Sequence, residues 1–339
     1  MRACTGSGVS ITVVIFPEYG ESTRYRPPMV RALVVSNMLA TPEHPERGSF
    51  VRDQVEALRG IADLSVDLCE LPPGPRPLVT GAGALRRRFG GVRFDVVHAH
   101  YSLSAYPALA VPARVRALTV HGTDLRHPVT RQLTRLVLAR IDLLVAVSGA
   151  LRDELPTARA RSRAQVIPCG VDLERFAPRP RAQARAALGL DPVEPCLLFP
   201  ADPARAEKRY DRALAVAADT PLHTLGGVAP RDVPAWINAA NAVLIPSERE
   251  GFGLAALEAL ACDVPVLATP VGEHPALLSG LPGTLCAPFD PARWSQALAE
   301  HLSAPDPRIA GRERAERYSA TRMAERLAGC WRSTLAGAA

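Results

Sequence analysis

The feature that most constrains the fold of this chain is an alternation of short apolar segments with amphipathic helical segments. Before residue 174 the predicted strands are Ala32–Asn37, Ser65–Cys69, Val96–Ala99, Ala117–Val120, Leu143–Val147 and Gln165–Pro168. Between them, Phe50–Ile61 places Val51, Val55 and Leu58 at helical spacing, and Thr130–Arg140 is a second predicted helix. Short strands separated by helices are typical of a parallel sheet covered on both faces, so the pattern predicts an α/β domain.

The alternation stops once and then starts again. Residues 174–195, ERFAPRPRAQARAALGLDPVEP, are rich in Pro, Ala and Arg and poor in strand formers, which predicts a linker. The predicted elements that follow are strands Cys196–Pro200, Leu222–Leu225, Ala242–Pro246 and Val264–Thr269, and helices Tyr210–Ala217, Val233–Ala239 and Leu254–Cys262. Two α/β halves predict a ligand beyond the carboxyl ends of the strands, in a cleft between domains.

The ends of the chain complete the predicted domain organisation. Residues 1–28 end in STRYRPP before Met29 and read as a poorly ordered extension, with an extra edge strand at Ile11–Phe16 as the alternative. The other predicted parts are an N-terminal domain at 29–173, a C-terminal domain at 196–305 and a helical tail at 306–339.

Composition narrows the classes of function. The net charge of +6 and the pI of about 9.1 are compatible with an anionic ligand or a peripheral contact with an acidic membrane surface, and require neither. The basic run Leu85–Arg93 is interpreted as a solvated helix face, with a contact to acidic lipid or an anionic acceptor as the alternative. Basic residues are dispersed with few aromatic residues among them, which disfavours nucleic acid as a partner.

Cysteine usage and hydropathy indicate a cytoplasmic protein. The chain has seven cysteines and no CxxC pair, so neither a disulfide framework nor a zinc site is indicated. No apolar run approaches the roughly 20 residues that span a bilayer. A dinucleotide-dependent oxidoreductase is disfavoured because no GxGxxG follows the first strand.

The stretch SEREGFGLAALEAL, Ser247–Leu260, carries the strongest functional signal. Gly251 and Gly253 let backbone N–H groups approach a ligand, and the helix that follows offers unpaired N–H donors to a phosphate. The carboxylates of Glu250 and Glu258 have no Lys or Arg between Gly251 and Cys262 to pair with. Since a buried unpaired carboxylate is costly, hydroxyl groups of a sugar ligand are expected to complete its hydrogen bonds. The alternative is that Glu258 bonds to backbone or solvent and that Glu250 is exposed.

Glu250, seven residues and then Glu258 resemble the signature of family 4 glycosyltransferases with the GT-B fold, which has two Rossmann-like domains. Four further segments are similar to motifs of that family and occur in the same order: TVHGTDL at Thr119–Leu125, LVAVSGALRDEL at Leu144–Leu155, VIPCGVDLERFAP at Val166–Pro178 and AEKRYDRAL at Ala206–Leu214. The resemblance covers nearly the whole chain after Met29.

The resemblance implies a role for each matching position. Glu258 is expected to hold the nucleotide ribose, Lys208 to neutralise the diphosphate, and His121 to face the donor sugar. Glu250 and the backbone of Gly251, Phe252, Gly253 and Leu254 are expected at the sugar and phosphates, with Gly48 and Asp124 in loops near donor or acceptor. Members transfer sugar with retention and without a catalytic metal, so the resemblance implies no cofactor beyond the nucleotide-diphosphate sugar.

The sequence also departs from the family pattern. FPADPARAEKR stands where a Gly-Arg pair is usual, and Arg205 is the expected replacement for that arginine. Asp263 ends the motif helix, where Gly is commoner, and Cys169 replaces Asn. The stretch from Lys208 to Gly227 is short by about one α/β unit. The prediction is therefore a retaining transferase using a UDP- or GDP-sugar and a hydroxyl acceptor; the alternatives are a non-catalytic nucleotide-sugar-binding paralogue and a GT-B epimerase.

Overall fold

A computed structural model describes residues 29–338 and the two-residue strand Thr12–Val13. The strands in chain order are β1 Thr12–Val13, β2 Val30–Ser36, β3 Leu64–Glu70, β4 Phe94–His100, β5 Ala113–Val120, β6 Leu143–Ala146, β7 Gln165–Val166, β8 Leu197–Phe199, β9 Leu222–Thr224, β10 Ala242–Ile245, β11 Val266–Ala268 and β12 Leu285–Cys286. Every predicted strand is present with its boundaries shifted by a few residues at most, because apolar runs mark buried strands well.

The helices include several that the sequence did not suggest. They are α1 Ser49–Arg59, α2 Arg76–Phe89, α3 Ser102–Ala108, α4 Thr123–Arg126, α5 Pro128–Val137, α6 Gly149–Asp153, α7 Ala158–Arg163, α8 Arg181–Ala187, α9 Tyr210–Ala217, α10 Val233–Ala239, α11 Leu254–Ala261, α12 His274–Leu278, α13 Pro291–Ser303, α14 Arg312–Glu316 and α15 Ala320–Gly337. Single 3-10 turns lie at Leu138–Arg140 and Ala206–Lys208. In the described part of the chain, no helix has the length and apolarity needed to cross a bilayer.

The strands form two sheets, and, leaving out β1, the first five strands of each sheet in chain order are arranged in the same way. The first runs β1-β3-β2-β4-β5-β6-β7 and the second β12-β11-β10-β8-β9. All pairings are parallel except that of β1 with β3. Setting β1 aside, in each sheet the first strand in sequence lies between the second and the third, so strand order reverses there. Ligands of open α/β sheets bind outside the carboxyl ends of the strands at that reversal.

The two sheets belong to two compact units. Among the described residues, the first unit comprises Arg47–Pro168 with the chain up to Ala40 and from Met323 onward; the second comprises Cys169–Arg322 with Thr41–Glu46. The first core lies where β2, β3 and β4 pack on α1 and α15, through residues such as Val34, Val55 and Trp331. The second packs β8, β10 and β11 on α9 and α13, through Phe199, Leu244 and Trp294.

The predicted boundaries differ from this division at two places. The segment 174–195 is not an extended linker but part of the second unit: on α8, Arg185 donates to Asn241 Oδ1 at 2.7 Å and Arg181 to the carbonyl of Ala240 at 2.9 Å. Both arginine side chains are buried. Their composition suggested an exposed segment, but carbonyl and amide oxygens satisfy the guanidinium groups.

The predicted tail 306–339 is divided between the units. Its α14 lies in the second unit, whereas α15 enters the first core from Met323 onward. Buried apolar residues at helical spacing, among them Leu327 and Trp331, explain why α15 packs on the first sheet.

The predicted extension at residues 1–28 lies outside the described residues apart from Thr12 and Val13. These two pair antiparallel with Glu70 and Cys69 at the edge of the first sheet, as an edge strand within Ile11–Phe16 would.

Candidate functional site

In the second unit, the predicted donor-binding residues lie on the loops after β8 and β10, which flank the reversal of strand order. The loop after β8 contains the 3-10 turn that ends at Lys208, and the loop after β10 contains Ser247 and Glu250. These loops are 42 residues apart in sequence at Lys208 and Glu250, yet the two side chains are in contact. The fold therefore assembles the site where the topology rule expects a ligand.

Lys208 and Glu250 form a close ion pair. Lys208 Nζ donates to Glu250 Oε1 at 2.7 Å and to Oε2 at 2.8 Å, and Ser247 Oγ donates to Oε1 at 2.7 Å. The side chains of Lys208 and Glu250 are only 16% and 11% exposed. Burial raises the pKa of Glu250, but the charge of Lys208 and these hydrogen bonds outweigh it, so the pKa of Glu250 is lowered and the group is ionised.

This pairing corrects the expectation for Glu250. The sequence suggested that a sugar ligand completes its hydrogen bonds because no cation lies near it along the chain. The structure supplies the cation from the loop after β8, so Glu250 is satisfied by protein. The alternative of an exposed Glu250 is wrong as well.

Two glycines allow the loop before α11 to lie against the turn after β11. Gly253 has φ +111°, and a Cβ there would come within 2.5 Å of the His274 ring. Gly272 has φ +59°, and its Cβ would lie 2.6 Å from the carbonyl oxygen of Phe252. The Glu273 N–H donates to that same oxygen at 2.7 Å. No other residue fits these two positions, since both the backbone angle and the space exclude a side chain.

His274 is a residue that the sequence analysis missed. It is fully buried, and its Nδ1 lies 2.9 Å from the carbonyl oxygen of Thr269, so Nδ1 carries the proton. The other ring nitrogen, Nε2, has no hydrogen-bond partner among the described residues and faces Gly253. Burial lowers the pKa of His274, opposed by Glu250, so the ring is neutral. His274 directly precedes Pro275 and belongs to no recognised motif, so the sequence gave no reason to assign it a role.

The remainder of the motif lies at the start of α11. The helix begins at Leu254, as predicted. The N–H groups at its start have no preceding helical turn whose carbonyl groups could accept from them. Phe252 is buried against Tyr318, with ring centroids 6.1 Å apart, so only its backbone is offered to a ligand. Glu258, one turn further, is half-buried. Its charge contributes, after burial, to raising the pKa values of Cys169 and Cys262 to about 12, which places it near both thiols.

Two other positions singled out in the sequence are explained locally. Arg205 is exposed and donates to Glu207 Oε1 at 2.7 Å. Its guanidinium group is thus paired with Glu207 and not with Glu250. Asp263, at a position where Gly is commoner in the family, adopts the left-handed conformation with φ +56°, and its Oδ1 accepts the Arg312 N–H at 2.7 Å.

In the first unit, His121 belongs to a stack of three histidines at the carboxyl ends of β4 and β5. The rings of His98 and His100 are 5.1 Å apart with a 20° interplanar angle, and those of His100 and His121 are 5.1 Å apart at 23°. His100 Nδ1 lies 2.9 Å from His121 Nε2. Burial lowers the pKa of all three, that of His100 to about 3, so the stack is neutral.

Asp124 organises the loop that carries His121. Its Oδ1 accepts the N–H of His121 at 3.1 Å and that of Gly122 at 2.9 Å. Burial raises the pKa of Asp124 to about 6, with the backbone donors opposing. Asp124 as a whole is 3% exposed, and these hydrogen bonds join its carboxylate to the backbone of the loop.

Gly48 precedes α1 with φ +70°. A Cβ there would lie 2.5 Å from the carbonyl oxygen of Met38 and 3.2 Å from Glu70 Oε1. The conformation and the close approach account for glycine at this position independently of any ligand.

Across residues 29–338, no three His, Cys, Asp or Glu side chains are grouped so as to hold a metal ion. The predicted site residues thus fall into two sets: Lys208, Glu250 and the motif loop in the second unit, and His121 with Asp124 in the first.

Two glycosyltransferase family profiles match the chain, one in each half. The family profile "Glycosyltransferase Family 4" matches residues 2–175, and "Glycosyl transferases group 1" matches residues 199–304. The chain is 33% identical over 270 residues to a D-inositol 3-phosphate glycosyltransferase of Frankia alni, covering 62% of this chain and 66% of the relative. It is 32% identical over 319 residues to the Segniliparus rotundus protein of the same name, covering 76% of this chain and 71% of the relative. It therefore spans about two thirds of their length.

Solved structures share the fold. Sucrose-phosphate synthase from Thermosynechococcus elongatus superposes with a TM-score of 0.69 at 20% identity, covering 91% of this chain and all of that one, 100%. Anabaena Alr3699/HepE in complex with UDP superposes with a TM-score of 0.63 at 15% identity, covering 90% of this chain and 100% of that one. Together with the family profiles and the two parallel-sheet units, these matches show that the chain is a glycosyltransferase of family 4 with the GT-B fold.

Proposed function

We propose that this enzyme transfers a sugar, with retention of anomeric configuration and without a metal ion, from a nucleotide-diphosphate sugar to a hydroxyl group of a small acceptor. The observation that carries the proposal is the buried Lys208–Glu250 pair beside the start of α11, at the reversal of strand order in the second sheet.

The pair is suited to a departing diphosphate. An ammonium group has three N–H donors, and Lys208 directs its donors to the two oxygens of Glu250, leaving one for a phosphate oxygen. As the bond from the anomeric carbon to the diphosphate oxygen breaks, negative charge grows on that oxygen. A fixed cation and the N–H groups of a helix start stabilise such charge without reorganising. In this proposal Glu250 orients Lys208 and also faces the sugar.

The remaining roles follow the motif. The backbone of Gly251, Gly253 and Leu254 holds the phosphates, because glycine permits close approach there. Glu258 accepts hydrogen bonds from the ribose hydroxyls. His121 and the loop that Asp124 organises contact the sugar, and Gly48 belongs to the acceptor side. Arg205, on the loop before Lys208, would have to leave Glu207 to reach a phosphate.

Relatives suggest which substrates to test first. The relatives compared above are named D-inositol 3-phosphate glycosyltransferases, and Anabaena Alr3699/HepE was solved with UDP and with UDP-glucose. We therefore propose UDP-sugars as the first donors, GDP-sugars as the second, and inositol 3-phosphate as the first acceptor.

The test is a transfer assay with chelator-treated enzyme. UDP- and GDP-sugars are incubated with inositol 3-phosphate and other polyols in EDTA, and the anomeric proton coupling of the product is read by NMR. The expected product keeps the configuration of the donor. An inverted product would contradict retention, a strict requirement for Mg²⁺ would contradict the metal-free mechanism, and tight nucleotide binding without transfer or donor hydrolysis would favour a non-catalytic paralogue.

A further inference from the structure

We propose that Gln54 and His100 hold His121 in one tautomer, with the proton on Nδ1, so that His121 presents an N–H donor to its ligand. Gln54 and His100 are thus positioning residues that act through His121. The inference deepens the proposed function, because it states which chemical group of the sugar His121 recognises. It is derived from the direction of each hydrogen bond in the histidine stack.

The proton on His98 is determined by Trp331. The indole Nε1 of Trp331 lies 3.2 Å from His98 Nδ1, and an indole N–H only donates. His98 Nδ1 therefore accepts, and the proton of the neutral ring is on Nε2. That nitrogen lies 2.7 Å from Thr119 Oγ1 and donates to it. His98 thus uses both nitrogens on protein and leaves none for its stacked neighbour.

The proton on His100 is determined by Gln54. The amide nitrogen of Gln54 lies 3.3 Å from His100 Nε2, and an amide NH₂ group only donates. His100 Nε2 therefore accepts, and the proton of the neutral ring is on Nδ1. Since His100 Nδ1 is 2.9 Å from His121 Nε2, His100 donates to His121.

The same logic fixes His121. Its Nε2 accepts from His100, so the single proton of the neutral ring is on Nδ1. Phe50 and Tyr101 pack on the ring, with centroids 4.9 Å and 4.7 Å away, and His100 stacks on it, so its orientation is held as well. The Asp124 carboxylate binds the His121 backbone and not its ring, so it does not compete for the ring proton.

The consequence is a preference for an oxygen acceptor. A neutral Nδ1–H donates to a hydroxyl or ring oxygen of the sugar and leaves the hydroxyl proton for another partner. With the opposite tautomer, the same nitrogen would accept from a hydroxyl and would not bind an ether oxygen. The tautomer set by Gln54 thus determines which sugar oxygens fit at His121.

The test is a ¹⁵N–¹H correlation spectrum of the histidine rings in the free protein at about pH 8, where the chemical shifts of the two ring nitrogens distinguish the tautomers. His121→Asn and His100→Asn identify the signals. We expect the proton on Nδ1 in both His100 and His121, and on Nε2 in His98. A proton on Nε2 of His121 would overturn the proposal, whatever the enzymatic activity.

Variants of Gln54 test its role separately. In Gln54→Glu the near-isosteric carboxylate only accepts, so the protons of His100 and His121 should both move to Nε2. In Gln54→Met neither direction is imposed, and a mixture of tautomers is expected. An unchanged His121 spectrum in Gln54→Glu would show that Gln54 does not set the tautomer. If the proposed transfer is confirmed, Gln54→Glu should lower kcat/KM about tenfold, the effect of one hydrogen bond.

Discussion

The carboxyl ends of the two sheets carry polar side chains of different kinds. In the second unit, Lys208 and Glu250 are both ionised and balance each other at 2.7 Å. In the first unit, His98, His100 and His121 are stacked and neutral because burial penalises their charge. The same strand order thus supports an electrostatic site in one unit and a site of directed, uncharged hydrogen bonds in the other.

The two kinds of side chain indicate which chemical groups each unit is suited to bind. A cation beside a helix start suits phosphate, because the ammonium and the helix N–H groups both donate to phosphate oxygens. Its pairing with a carboxylate keeps the net charge of the two side chains at zero when no ligand is bound. Neutral rings with fixed proton positions suit sugar oxygens, which are polar but uncharged. Nucleotide-diphosphate sugars contain both kinds of group. The predictions below separate the contribution of the charged pair from that of backbone packing and from that of the neutral loop.

Removing Lys208 should have the largest effect. Lys208→Ala removes the cation that stabilises the leaving diphosphate, and turnover should fall by about 10²–10³, as when one transition-state donor is lost. Steady-state assays with the chosen donor measure this. Arg231→Ala is the control, because that arginine is 87% exposed and pairs only with neighbouring Asp232 in the structure. Unchanged turnover in Lys208→Ala would contradict the charged site.

The same variant separates catalysis from stability. Lys208→Ala leaves Glu250 buried without its ammonium partner and should cost about 3–5 kcal/mol of unfolding free energy. The double variant Lys208→Met with Glu250→Gln should regain most of that stability but not the turnover. Recovery of turnover in the double variant would show that the pair is only structural.

The Gly253–His274 packing should give the next largest effect. Gly253→Ala adds left-handed strain of about 1–2 kcal/mol and overlap with the ring, which costs typically about 1–3 kcal/mol more. Gly280→Ala is the matched control, because Gly280 has φ +67° and open space around it. Denaturant titration should show a larger loss for Gly253→Ala, and adding His274→Ala should remove the excess. Equal losses in the two single variants would refute the contact.

Glu258 should contribute a smaller effect, on nucleotide binding. If its carboxylate accepts from ribose, Glu258→Gln should weaken UDP or GDP binding about tenfold, since a hydrogen bond to a charged group contributes about 1.5–3 kcal/mol. A 2′-deoxynucleotide should lose affinity for the wild-type protein but lose little more for the variant. Full affinity of Glu258→Gln for the ribonucleotide would rule out this role.

Asp124 should affect the pH dependence of stability. Its pKa of about 6 lies above the ordinary 3.8, so its contribution is full below 3.8 and is lost as pH rises through about 6. Asp124→Asn keeps an oxygen for the His121 and Gly122 N–H groups and removes the titration. We expect it to gain about 2 kcal/mol over wild type at pH 8 relative to pH 4. Asp142→Asn, an exposed aspartate that accepts the Arg116 N–H, is the control. Equal pH profiles for Asp124→Asn and wild type would contradict the buried charge.

The fold was largely predictable because it depends on local apolar patterns. The boundaries of α9 and α10 match the predicted helices, and α11 differs by one residue. The patterns gave only the end of α2, within the basic run Leu85–Arg93, and missed the start of α2, which contains Pro77, Gly81 and Gly83, and all of α3, which contains Pro107. They also misassigned α8, since the buried bonds of Arg181 and Arg185 join residues more than 50 positions apart.

The site was predictable only in part, for the same reason. Glu250, Lys208 and the glycines of the motif stand in a recognisable local pattern. The pairing of Lys208 with Glu250, the contact of His274 with Gly253 and the stacking of His100 on His121 each join separate loops or strands. A local pattern does not indicate which residues distant in sequence are in contact. The sequence therefore predicts a ligand, and not Lys208, as the partner of Glu250.

Calorimetric titration of the chelator-treated protein with UDP and with GDP tests the central claim most directly, that the Lys208–Glu250 pair and the start of α11 form a metal-free diphosphate site. We predict that one nucleotide binds in EDTA, that its affinity falls about tenfold or more in Lys208→Ala, and that the corresponding monophosphate binds more weakly to the wild-type protein. Binding of neither diphosphate, or equal affinity in Lys208→Ala, would contradict the account.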